Sequence, residues 1–394
     1  MKKRILFIEE GLGIGGAEKS LLTILQNFDY EKYEVDLFLF NYRGEFMELL
    51  PKQVNLLNLD EDFNIFDENR KQSPILFIKK FKFRKAINAL LYLIHAAYSN
   101  WIVKKEYIGW NYIGNIFNSL NKEYDVAVWL LERKTFYFNV DKVKSKKKIG
   151  FVHIDYHKID YDYELDKKYF EYMNNIATVS EHCKEVLIEI FPEYKDKFLV
   201  IKNMVSDKLI REFAKEELDI KVDSNVINIV TVGRLTYQKG MDNAVLVCKK
   251  LVNDGYKVKW YIVGTGGQRK ELEQLVSENK IEDNFILLGA KLNPYKYMNF
   301  ADIYVQPSRF EGYGITIAEV KVLCKPIIAS DIPEFREQLG DNKLGVLCKN
   351  NDELVESIID FIDNPEKKDI FINRLKLDGN QVDNSELEKL YELL

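Results

Sequence analysis

The strongest constraint on the fold is an alternation along the chain between short apolar runs and longer amphipathic segments. In the first two hundred residues the apolar runs have the length and side-chain types of buried strands, and segments of helical periodicity separate them. Strands that alternate with helices pair in parallel, because each helix carries the chain back across the sheet. The predicted strands are residues 4–8, 33–40, 54–57, 125–130, 148–152, 176–179 and 198–201.

The same alternation restarts in the second half of the chain, after a polar and charged stretch at residues 206–225. A chain of 394 residues is long enough for two domains with cores of their own. We therefore predict two doubly wound α/β domains that face a cleft, with ligands beyond the carboxyl ends of the strands. The predicted strands of the second domain are residues 226–232, 258–263, 285–288, 302–305, 326–329 and 345–347.

A glycine-rich turn follows the first predicted strand and raises the question of a dinucleotide site. The segment GLGIGGAEKS places Gly11, Gly13 and Gly16 at G-x-G-x-x-G spacing, which in dehydrogenases brings a pyrophosphate to a helix N-terminus. That fingerprint also requires an acidic residue at the tip of the second strand. Here Asp36 falls in mid-strand and the tip residue is Asn41, so the sequence argues against a nicotinamide-cofactor enzyme.

The strongest chemical signal lies in the second half, in the segment RFEGYGITIAEV. Glu311 follows a predicted strand in a glycine-bearing loop, and Glu319 lies within a helix predicted to open near Gly314. A glycine loop that enters a helix offers backbone N–H groups and a positive dipole to a phosphate. A carboxylate beyond that loop can hold adjacent hydroxyls. The alternative is that Glu319 is a helix-surface residue and Glu311 a turn residue.

Two cations follow the first strand of the second half, in the segment VGRLTYQKGMD. Arg234 and Lys239 lie where that strand gives way to a helix. Arginine supplies a bidentate fork and lysine a point charge, so together they can neutralise a diphosphate without a metal ion. Taken singly, each is also consistent with a solvated surface cation. A third glycine turn, VGTGGQRKEL at residues 263–272, repeats the strand-turn-helix design and mainly indicates close packing.

Five segments in this order and spacing resemble the large family-4 glycosyltransferases of bacterial surface-polysaccharide synthesis, which are retaining enzymes of the GT-B fold. The segments are GGAE, HID, VGRLTYQKG, VGTGG and EGYGITIAEV. The resemblance implies two Rossmann-like domains, of which the C-terminal one holds a nucleotide sugar and the N-terminal one an acceptor. One departure lies at the hinge, where the family often has Asn-Gly-Val-Asp and this chain has Met204 and Ser206 in place of the Gly and the Asp.

The resemblance also implies roles for individual residues. Glu319 would hold the donor ribose hydroxyls, Glu311 would contact the transferred sugar, and Arg234 and Lys239 would hold the diphosphate. His153 matches a histidine near the reacting sugar and completes a catalytic set with Arg234, Lys239 and Glu311; spacing alone favours a structural histidine at a strand end. The further donor-binding residues are Gly15, Gly16, Gly312, Tyr313, Gly314 and Ile315.

Two D-x-D triplets match the metal motif of the other large glycosyltransferase fold. They begin at Asp60 and at Asp160. Because the triplet occurs twice in one chain, a match to it is weak evidence for a metal site. Asp160 and Asp162 suit the acidic first turn of a helix. The segment HIDYH at residues 153–157 has no further ligand nearby, so a metal site there is disfavoured. We expect no metal and no cofactor, with the nucleotide sugar as a substrate.

Composition indicates a protein of the cytoplasm. The net charge of -5 argues against general affinity for nucleic acids. The first apolar run ends at two glutamates and is too short for a signal-peptide core. The four cysteines form no C-x-x-C pair and lie mostly in apolar stretches, as reduced thiols do.

One basic segment stands out against this acidic background. Residues 70–105 contain nine Lys and Arg and no Asp or Glu, interleaved with Phe77, Phe81 and Phe83. Such a surface can lie on an anionic membrane, although its best apolar run, residues 86–98, is too short to span a bilayer. A pair of core helices with solvated lysines explains the pattern equally well. Lysines at 142, 144, 146, 147 and 148 add a second positive patch.

These features together predict a metal-independent, retaining hexosyltransferase that acts in surface polysaccharide or capsule synthesis. It would move a hexose or N-acetylhexosamine from a nucleotide sugar, UDP-linked in the favoured case, to a lipid-linked or glycan acceptor. The alternatives are a nucleotide-sugar epimerase on the same fold and a non-catalytic donor-binding partner subunit. We expect an acceptor domain at residues 1–205, a donor domain at 206–378 and a C-terminal helix at 379–394 that caps either domain.

Overall fold

The computed structural model describes residues 2–42, 44–58, 61–98, 109–158, 162–223, 225–378 and 385–394. The chain forms two compact units. The N-terminal unit comprises Met1–Met204 together with Ser385–Leu394, and the C-terminal unit comprises Val205–Asn384. Each unit is a parallel sheet with helices on its faces, so the predicted α/β, doubly wound fold class is confirmed. None of the described helices has the length and apolar character that crossing a bilayer requires.

The strands lie where the apolar runs predict them. In the N-terminal unit they are β1 (Lys3–Glu9), β2 (Tyr33–Leu39), β3 (Asn55–Leu56), β4 (Glu123–Trp129), β5 (Lys144–Val152), β6 (Asn175–Thr178) and β7 (Phe198–Val200). In the C-terminal unit they are β8 (Ile227–Val232), β9 (Val258–Val263), β10 (Phe285–Gly289), β11 (Ile303–Gln306), β12 (Ile327–Ser330) and β13 (Val346–Cys348).

α-Helices flank the strands in both units. In the N-terminal unit they are α1 (Gly16–Gln26), α2 (Glu61–Glu68), α3 (Ser73–Lys79), α4 (Phe83–Tyr98), α5 (Lys134–Lys142), α6 (Tyr163–Phe170), α7 (Glu181–Ile190) and the C-terminal α16 (Ser385–Leu393). In the C-terminal unit they are α8 (Asp207–Phe213), α9 (Met241–Asn253), α10 (Arg269–Glu278), α11 (Tyr295–Phe300), α12 (Ile315–Val322), α13 (Pro333–Leu339), α14 (Asn351–Asp363) and α15 (Pro365–Asp378).

The two sheets share one plan, in which the chain works outward from a central pair of strands. The N-terminal sheet has the order β3-β2-β1-β4-β5-β6-β7, and the C-terminal sheet has the order β10-β9-β8-β11-β12-β13. All pairs are parallel. The order therefore reverses between β1 and β4 in one unit and between β8 and β11 in the other. Open α/β sheets bind ligands at such switch points.

Strand β5 begins four residues before its predicted start. The prediction missed these residues because most of them are lysines, which interrupt the apolar pattern of a buried strand. Lys146 is exposed and pairs with Asp125, with 2.7 Å from Nζ to Oδ1. Lys148 instead turns inward and donates to the Val143 carbonyl at 2.8 Å. Burial lowers the pKa of Lys148 to about 8. The second positive patch is thus divided by the strand, with only part of its charge on the surface.

The C-terminal helix α16 packs in the N-terminal unit. Leu387 and Leu390 are buried in the core formed by β1, β2 and α1. Tyr391 stacks on Tyr33 with ring centroids 5.6 Å apart, and its hydroxyl accepts a hydrogen bond from the Asp29 backbone N–H at 2.7 Å. Residues 379–384 of the predicted C-terminal helix lie outside the described residues.

A buried carboxyl makes the stability of the N-terminal unit depend on pH. Asp166 on α6 is 3% exposed, and its oxygens accept hydrogen bonds from Tyr137 at 2.9 Å and Tyr156 at 3.4 Å. Burial raises the pKa of Asp166 to about 7, with smaller contributions from Asp162 and Glu132. Since the folded state favours the protonated form, the stability that this group contributes is complete below its unfolded pKa of 3.8 and is lost as pH rises through about 7.

We expect Asp166→Asn, which mimics the protonated acid, to remove this dependence. From about pH 5.5 to about pH 8, wild type should lose about 2 kcal/mol more unfolding free energy than the variant. Urea unfolding at the two pH values measures the difference. Parallel pH profiles for the two proteins would show that Asp166 is ionised throughout.

Candidate functional site

The candidate site of the C-terminal unit lies at its switch point, between the loops that leave β8 and β11. The loop after β8 contains Arg234 and Lys239, and the loop after β11 contains Glu311. The connections after these neighbouring strands run to opposite sides of the sheet, and the carboxyl ends of strands at such a switch point are where open α/β sheets bind ligands. Two of the three predicted residues meet there.

Lys239 and Glu311 form a nearly buried ion pair. The Lys239 Nζ donates to both Glu311 carboxylate oxygens, at 2.7 and 2.8 Å, and the two side chains are only 13% and 5% exposed. Lysine has three N–H donors, and this geometry directs two of them to Glu311. Each ion stabilises the other in a medium of low dielectric constant, where a lost partner is costly.

A chain of hydrogen bonds runs from the end of β11 to the Glu311 carboxylate. Ser308 donates to its Oε1 at 2.7 Å, Gln306 donates to the Ser308 hydroxyl at 2.9 Å, and the Tyr304 hydroxyl donates to the Gln306 side chain at 2.8 Å. All three supporting residues are buried at the end of β11. Side chains in such a network have one arrangement, so the carboxylate of Glu311 is held in place before any ligand arrives.

A glycine allows the two loops to touch. Gly240 follows Lys239 with φ of 64°, and a Cβ at this position would lie 2.0 Å from the carbonyl oxygen of Pro307. Both the left-handed backbone and the contact with a backbone oxygen exclude any other residue without movement of a loop. The Lys239 loop and the Glu311 loop are therefore fixed to each other through backbone atoms.

Glu319 is buried inside its helix rather than on the surface. It is 1% exposed, and the Tyr295 hydroxyl of α11 donates to its Oε1 at 2.9 Å. Burial and the neighbouring Glu319 raise the pKa of Tyr295, so this phenol remains a donor. The alternative that Glu319 is an ordinary helix-surface residue therefore fails.

The segment from Gly312 to Ile315 connects Glu311 to α12. Gly314 adopts φ of 79° as the residue before the helix, and a Cβ there would lie 2.4 Å from the Phe335 ring. The Gln338 side chain donates to the backbone carbonyls of Tyr313 and Gly314 and ties the turn to α13. The helix begins at Ile315, next to Gly314 as the sequence predicts.

Arg234 stands apart from the ion pair. Its side chain is exposed and makes no hydrogen bond or ion pair with any described residue. The loop that carries it is packed against the VGTGG turn, since a Cβ on Gly264 would lie 1.9 Å from the Gly233 oxygen and one on Gly266 would lie 2.3 Å from the Leu235 oxygen. The structure thus fixes the backbone on both sides of Arg234 and leaves its guanidinium in solvent.

The glycine loop of the N-terminal unit folds around an acidic side chain. Helix α1 begins at Gly16, with Gly15 in the preceding capping position. A Cβ on Gly15 would lie 2.2 Å from a carboxylate oxygen of Glu18, so a side chain here would displace that carboxylate. Both glycines lie at the carboxyl end of β1, at the switch point of this sheet.

His153 follows β5 in the same unit and is held through its backbone. Its N–H donates to the Glu132 carboxylate at 2.5 Å, and Glu132 follows the neighbouring strand β4. Burial lowers the pKa of His153 to about 4, so the imidazole is neutral at physiological pH. Burial also raises the pKa of Glu132 to about 7 and that of the fully buried Glu9 well above its usual value.

The metal-motif matches have ordinary structural roles where the structure describes them. Asp162 caps α6 by accepting the Leu165 N–H at 3.3 Å, while Asp160 lies outside the described residues, as does Asp60. Asp155 accepts the His157 N–H at 2.9 Å. Within the described part of the chain, no group of three His, Cys, Asp or Glu side chains is arranged to hold a metal ion.

Sequence reasoning missed several residues of the site. Gln306 and Ser308 stand in the QPS segment, which has the composition of a loop. Tyr295 is one of two tyrosines in its segment, and nothing local distinguishes it from Tyr297. Glu132 follows a strongly apolar strand, and that position at a strand end was the one available signal.

The match to a known protein family falls within the C-terminal unit. Residues 210–378 match the family model described as glycosyl transferases group 1. An N-acetylgalactosamine-N,N'-diacetylbacillosaminyl-diphospho-undecaprenol 4-alpha-N-acetylgalactosaminyltransferase of Campylobacter jejuni is 24% identical over 384 residues, with 95% of this chain and 94% of the relative covered. The poly(ribitol-phosphate) alpha-N-acetylglucosaminyltransferase of Staphylococcus aureus is 23% identical over 230 residues, with 56% of this chain and 45% of the relative covered.

Other curated relatives match over shorter stretches. An uncharacterised glycosyltransferase of Methanocaldococcus jannaschii is 26% identical over 170 residues, with 42% of this chain and 41% of the relative covered. Apart from the Campylobacter protein, the chain spans about half the length of the first curated relatives it matches, between 41% and 55%.

Solved structures resemble the chain along its whole length. Anabaena HepE in complex with UDP and glucose has a TM-score of 0.71 and 16% identity, with 99% of this chain and 98% of that chain covered. Staphylococcus aureus TarM in complex with fondaparinux, alpha-GlcNAc-glycerol and UDP has a TM-score of 0.69 and 14% identity, with 99% of each chain covered. At this identity the likeness establishes the fold, which is GT-B.

Proposed function

We propose that this chain, which has the GT-B fold and contains a group 1 glycosyl transferase region at residues 210–378, is a retaining glycosyltransferase. It would move a hexose or N-acetylhexosamine from a UDP-sugar to a lipid-linked or glycan acceptor in surface polysaccharide or capsule synthesis. The observation that carries the proposal is the Lys239 and Glu311 pair, held by a buried network at the switch point of the C-terminal sheet. The assignment to family 4 is part of this proposal.

The donor diphosphate would be bound by the C-terminal unit. Lys239 has a third N–H for a phosphate oxygen, and the exposed Arg234 on a rigid loop can reach a second one. The N-terminus of the eight-residue helix α12, after Gly314, adds a favourable dipole. Glu311 would contact the transferred sugar, and Glu319 would hold the ribose hydroxyls. Gly312, Tyr313 and Ile315 would complete the binding loop.

The N-terminal unit would contribute at the acceptor side. Gly15 and Gly16, which carry no Cβ, would allow close approach of the backbone to the donor phosphates. A neutral His153 can exchange hydrogen bonds with sugar hydroxyls, since one ring nitrogen donates and the other accepts. No described side chain is an evident general base for the acceptor. The proposed route therefore breaks the bond between the anomeric carbon and the phosphate oxygen and forms the new glycosidic bond on the same face, with the acceptor proton passing to the leaving phosphate.

The names of relatives and neighbours support this choice of substrates. The Campylobacter relative is named for a diphospho-undecaprenol acceptor, and the Staphylococcus relative for poly(ribitol-phosphate). Both names specify alpha-linked N-acetylhexosamines, which retention delivers from a donor sugar that is alpha-linked to phosphate. The HepE and TarM structures are complexes that contain UDP.

The test is a panel of nucleotide sugars, screened first by thermal shift and then by UDP release with and without acceptors. The acceptors are a short undecaprenyl-diphosphate-linked acetylhexosamine and a ribitol-phosphate oligomer. We expect stabilisation by a UDP-sugar and UDP release only when an acceptor is present. Turnover of the donor without acceptor would favour the epimerase, and binding of the donor without any turnover would favour a non-catalytic subunit.

Activity should not require a divalent metal ion, because Arg234 and Lys239 supply the positive charge that a metal otherwise brings to a leaving diphosphate. In the same UDP-release assay, EDTA should leave most of the activity intact. Complete loss in EDTA with recovery on addition of manganese or magnesium would contradict this assignment.

We also propose a cytoplasmic location, with contact to the inner face of the membrane through the basic segment at residues 70–105. Lipid-linked acceptors are embedded in a bilayer, so an enzyme that rests on the surface meets them in two dimensions. Of this segment, residues 99–105 lie outside the described residues.

A further inference from the structure

Exposed apolar side chains are concentrated in one helical hairpin, α3 with α4. Fifteen large apolar side chains of the described residues are exposed, and eight of them fall between residues 75 and 94. Soluble proteins seldom expose contiguous apolar surface, and a patch of this kind marks a site of contact with a partner or a membrane. We call these eight residues the apolar stripe; they are Ile75, Ile78, Phe81, Phe83, Ile87, Leu90, Leu91 and Ile94.

Five of the eight stripe residues form one face of α4. Phe83, Ile87, Leu90, Leu91 and Ile94 follow one another at helical spacings of three, four and one, which places them on one side of the helix. The other side of α4 packs on the core through the buried residues at 86 and 89. The helix is therefore apolar on both faces, and packing within the chain accounts for only one of them.

The turn between the helices presents a phenylalanine to solvent. Phe81 is 82% exposed and adopts φ of 59°, at a helix end closed by a hydrogen bond from the Lys82 N–H to the Phe77 carbonyl at 2.8 Å. Glycine is usual in this position, because a side chain strains a left-handed backbone. The Phe81 and Phe83 rings contact edge to face with centroids 6.3 Å apart. Phe77, which we grouped with them from the sequence, is instead fully buried.

Positive charge borders the stripe without acidic neighbours in sequence. Residues 70–98 contain no Asp or Glu. Lys79 and Arg84 are exposed and form no ion pair with any described residue. Lys82 and Lys85 differ, since both bind the buried Asp62 and hold α4 to α2. Lys80 is also on the surface, but its Nζ lies 2.6 Å from Glu61 Oε1. Lys79 and Arg84 are thus the cations available to an external anion, while Lys82 and Lys85 are structural.

We infer that the apolar stripe inserts into the headgroup and acyl boundary of an anionic phospholipid bilayer, with Phe81 at the leading tip and Lys79 and Arg84 at the phosphate level. Apolar residues on one face with cations beside them match an interfacial helix, which lies in the plane of the membrane. Anionic lipid attracts the cations, and burial of the stripe supplies affinity that does not depend on salt. The inference depends on the proposed function only for the reason why docking is useful, which is to bring the enzyme to a lipid-linked acceptor.

The experiment is flotation of the purified full chain with phosphatidylcholine vesicles that contain either no phosphatidylglycerol or about one third of it, in the absence of donor and acceptor. Wild type should float with the anionic vesicles. The variant Phe81→Ser/Phe83→Ser/Ile87→Ser should reduce the bound fraction by about tenfold or more at any salt concentration, since each residue is exposed and the fold does not need it. Lys79→Gln/Arg84→Gln should weaken binding mainly at low salt.

The control is Ile370→Ser/Leu377→Ser, which removes exposed apolar side chains from the C-terminal unit and should float like wild type. Thermal unfolding of each variant separates lost docking from lost folding. Equal flotation of wild type and the stripe variant, no flotation of wild type, or a wild-type dimer that the stripe variant converts to a monomer would each overturn the inference. Because the assay needs no catalysis, its failure would leave the proposed transferase function untouched, and an inactive Lys239 variant should still float.

Discussion

Replacement of Lys239 by methionine is expected to lower turnover by about a hundredfold and the unfolding free energy by about 3 kcal/mol. Methionine matches lysine in length but removes the charge that binds Glu311 and, in the proposed reaction, the leaving phosphate. Glu311 would retain its bond from Ser308 yet lose its nearly buried counter-ion. UDP release with saturating donor and acceptor measures the first effect, and urea unfolding measures the second.

A comparison of two further variants separates the two roles of this lysine. Glu311→Gln in the Lys239→Met background should recover stability, since the buried charge is gone, without recovering turnover. Lys270→Met alters an exposed lysine of the same unit and should change neither quantity. If Lys239→Met keeps near wild-type turnover on the true substrates, Lys239 is a structural residue and the proposed site is wrong.

Gly240→Ala is expected to cost about 3 kcal/mol of stability and at least about tenfold in turnover, although the residue touches no substrate in the proposed mechanism. The new Cβ meets the Pro307 oxygen at 2.0 Å and strains a backbone at φ of 64°. To relieve the contact the Lys239 loop must move away from the Glu311 loop. Chemical denaturation and UDP release report the two losses.

Another glycine of the same unit supplies the matched control. Gly255 has φ of 90°, but a Cβ there meets nothing within 4 Å. Gly255→Ala should therefore lose only about 1–2 kcal/mol from backbone strain, with turnover unchanged. Equal effects of the two substitutions would mean that the contact between Gly240 and Pro307 does not position the site.

The sequence predicts the sheet better than it predicts the site, and the reason is physical. Buried parallel strands are continuous apolar runs, so every predicted strand has a counterpart in the structure. The start of β5 was missed because its lysines reach partners distant in sequence, such as Asp125. A sequence pattern reports local composition, but it does not specify which distant residue a long side chain contacts.

The same limit explains the residues of the site. Lys239 and Glu311 stand in glycine-rich loops at strand ends, where function can be inferred from position. Their contact joins residues 72 positions apart, and no local pattern specifies it. Tyr295 reaches Glu319 from a separate helix, and the bond between Lys82 and Asp62 arises only once α2 and α4 pack. Each of these contacts depends on tertiary structure.

The return of α16 to the first unit bears on how the protein is made by the ribosome. The N-terminal unit is synthesised first, yet part of its core, Leu387 and Leu390, is translated only after the whole C-terminal unit. Until then the nascent chain exposes the apolar surface around Phe28 and Tyr33 that Tyr391 later covers. Domains that are continuous in sequence can complete folding one after the other during translation. Here the last helix has to arrive before the first domain is finished, so completion of the two units is coupled in time.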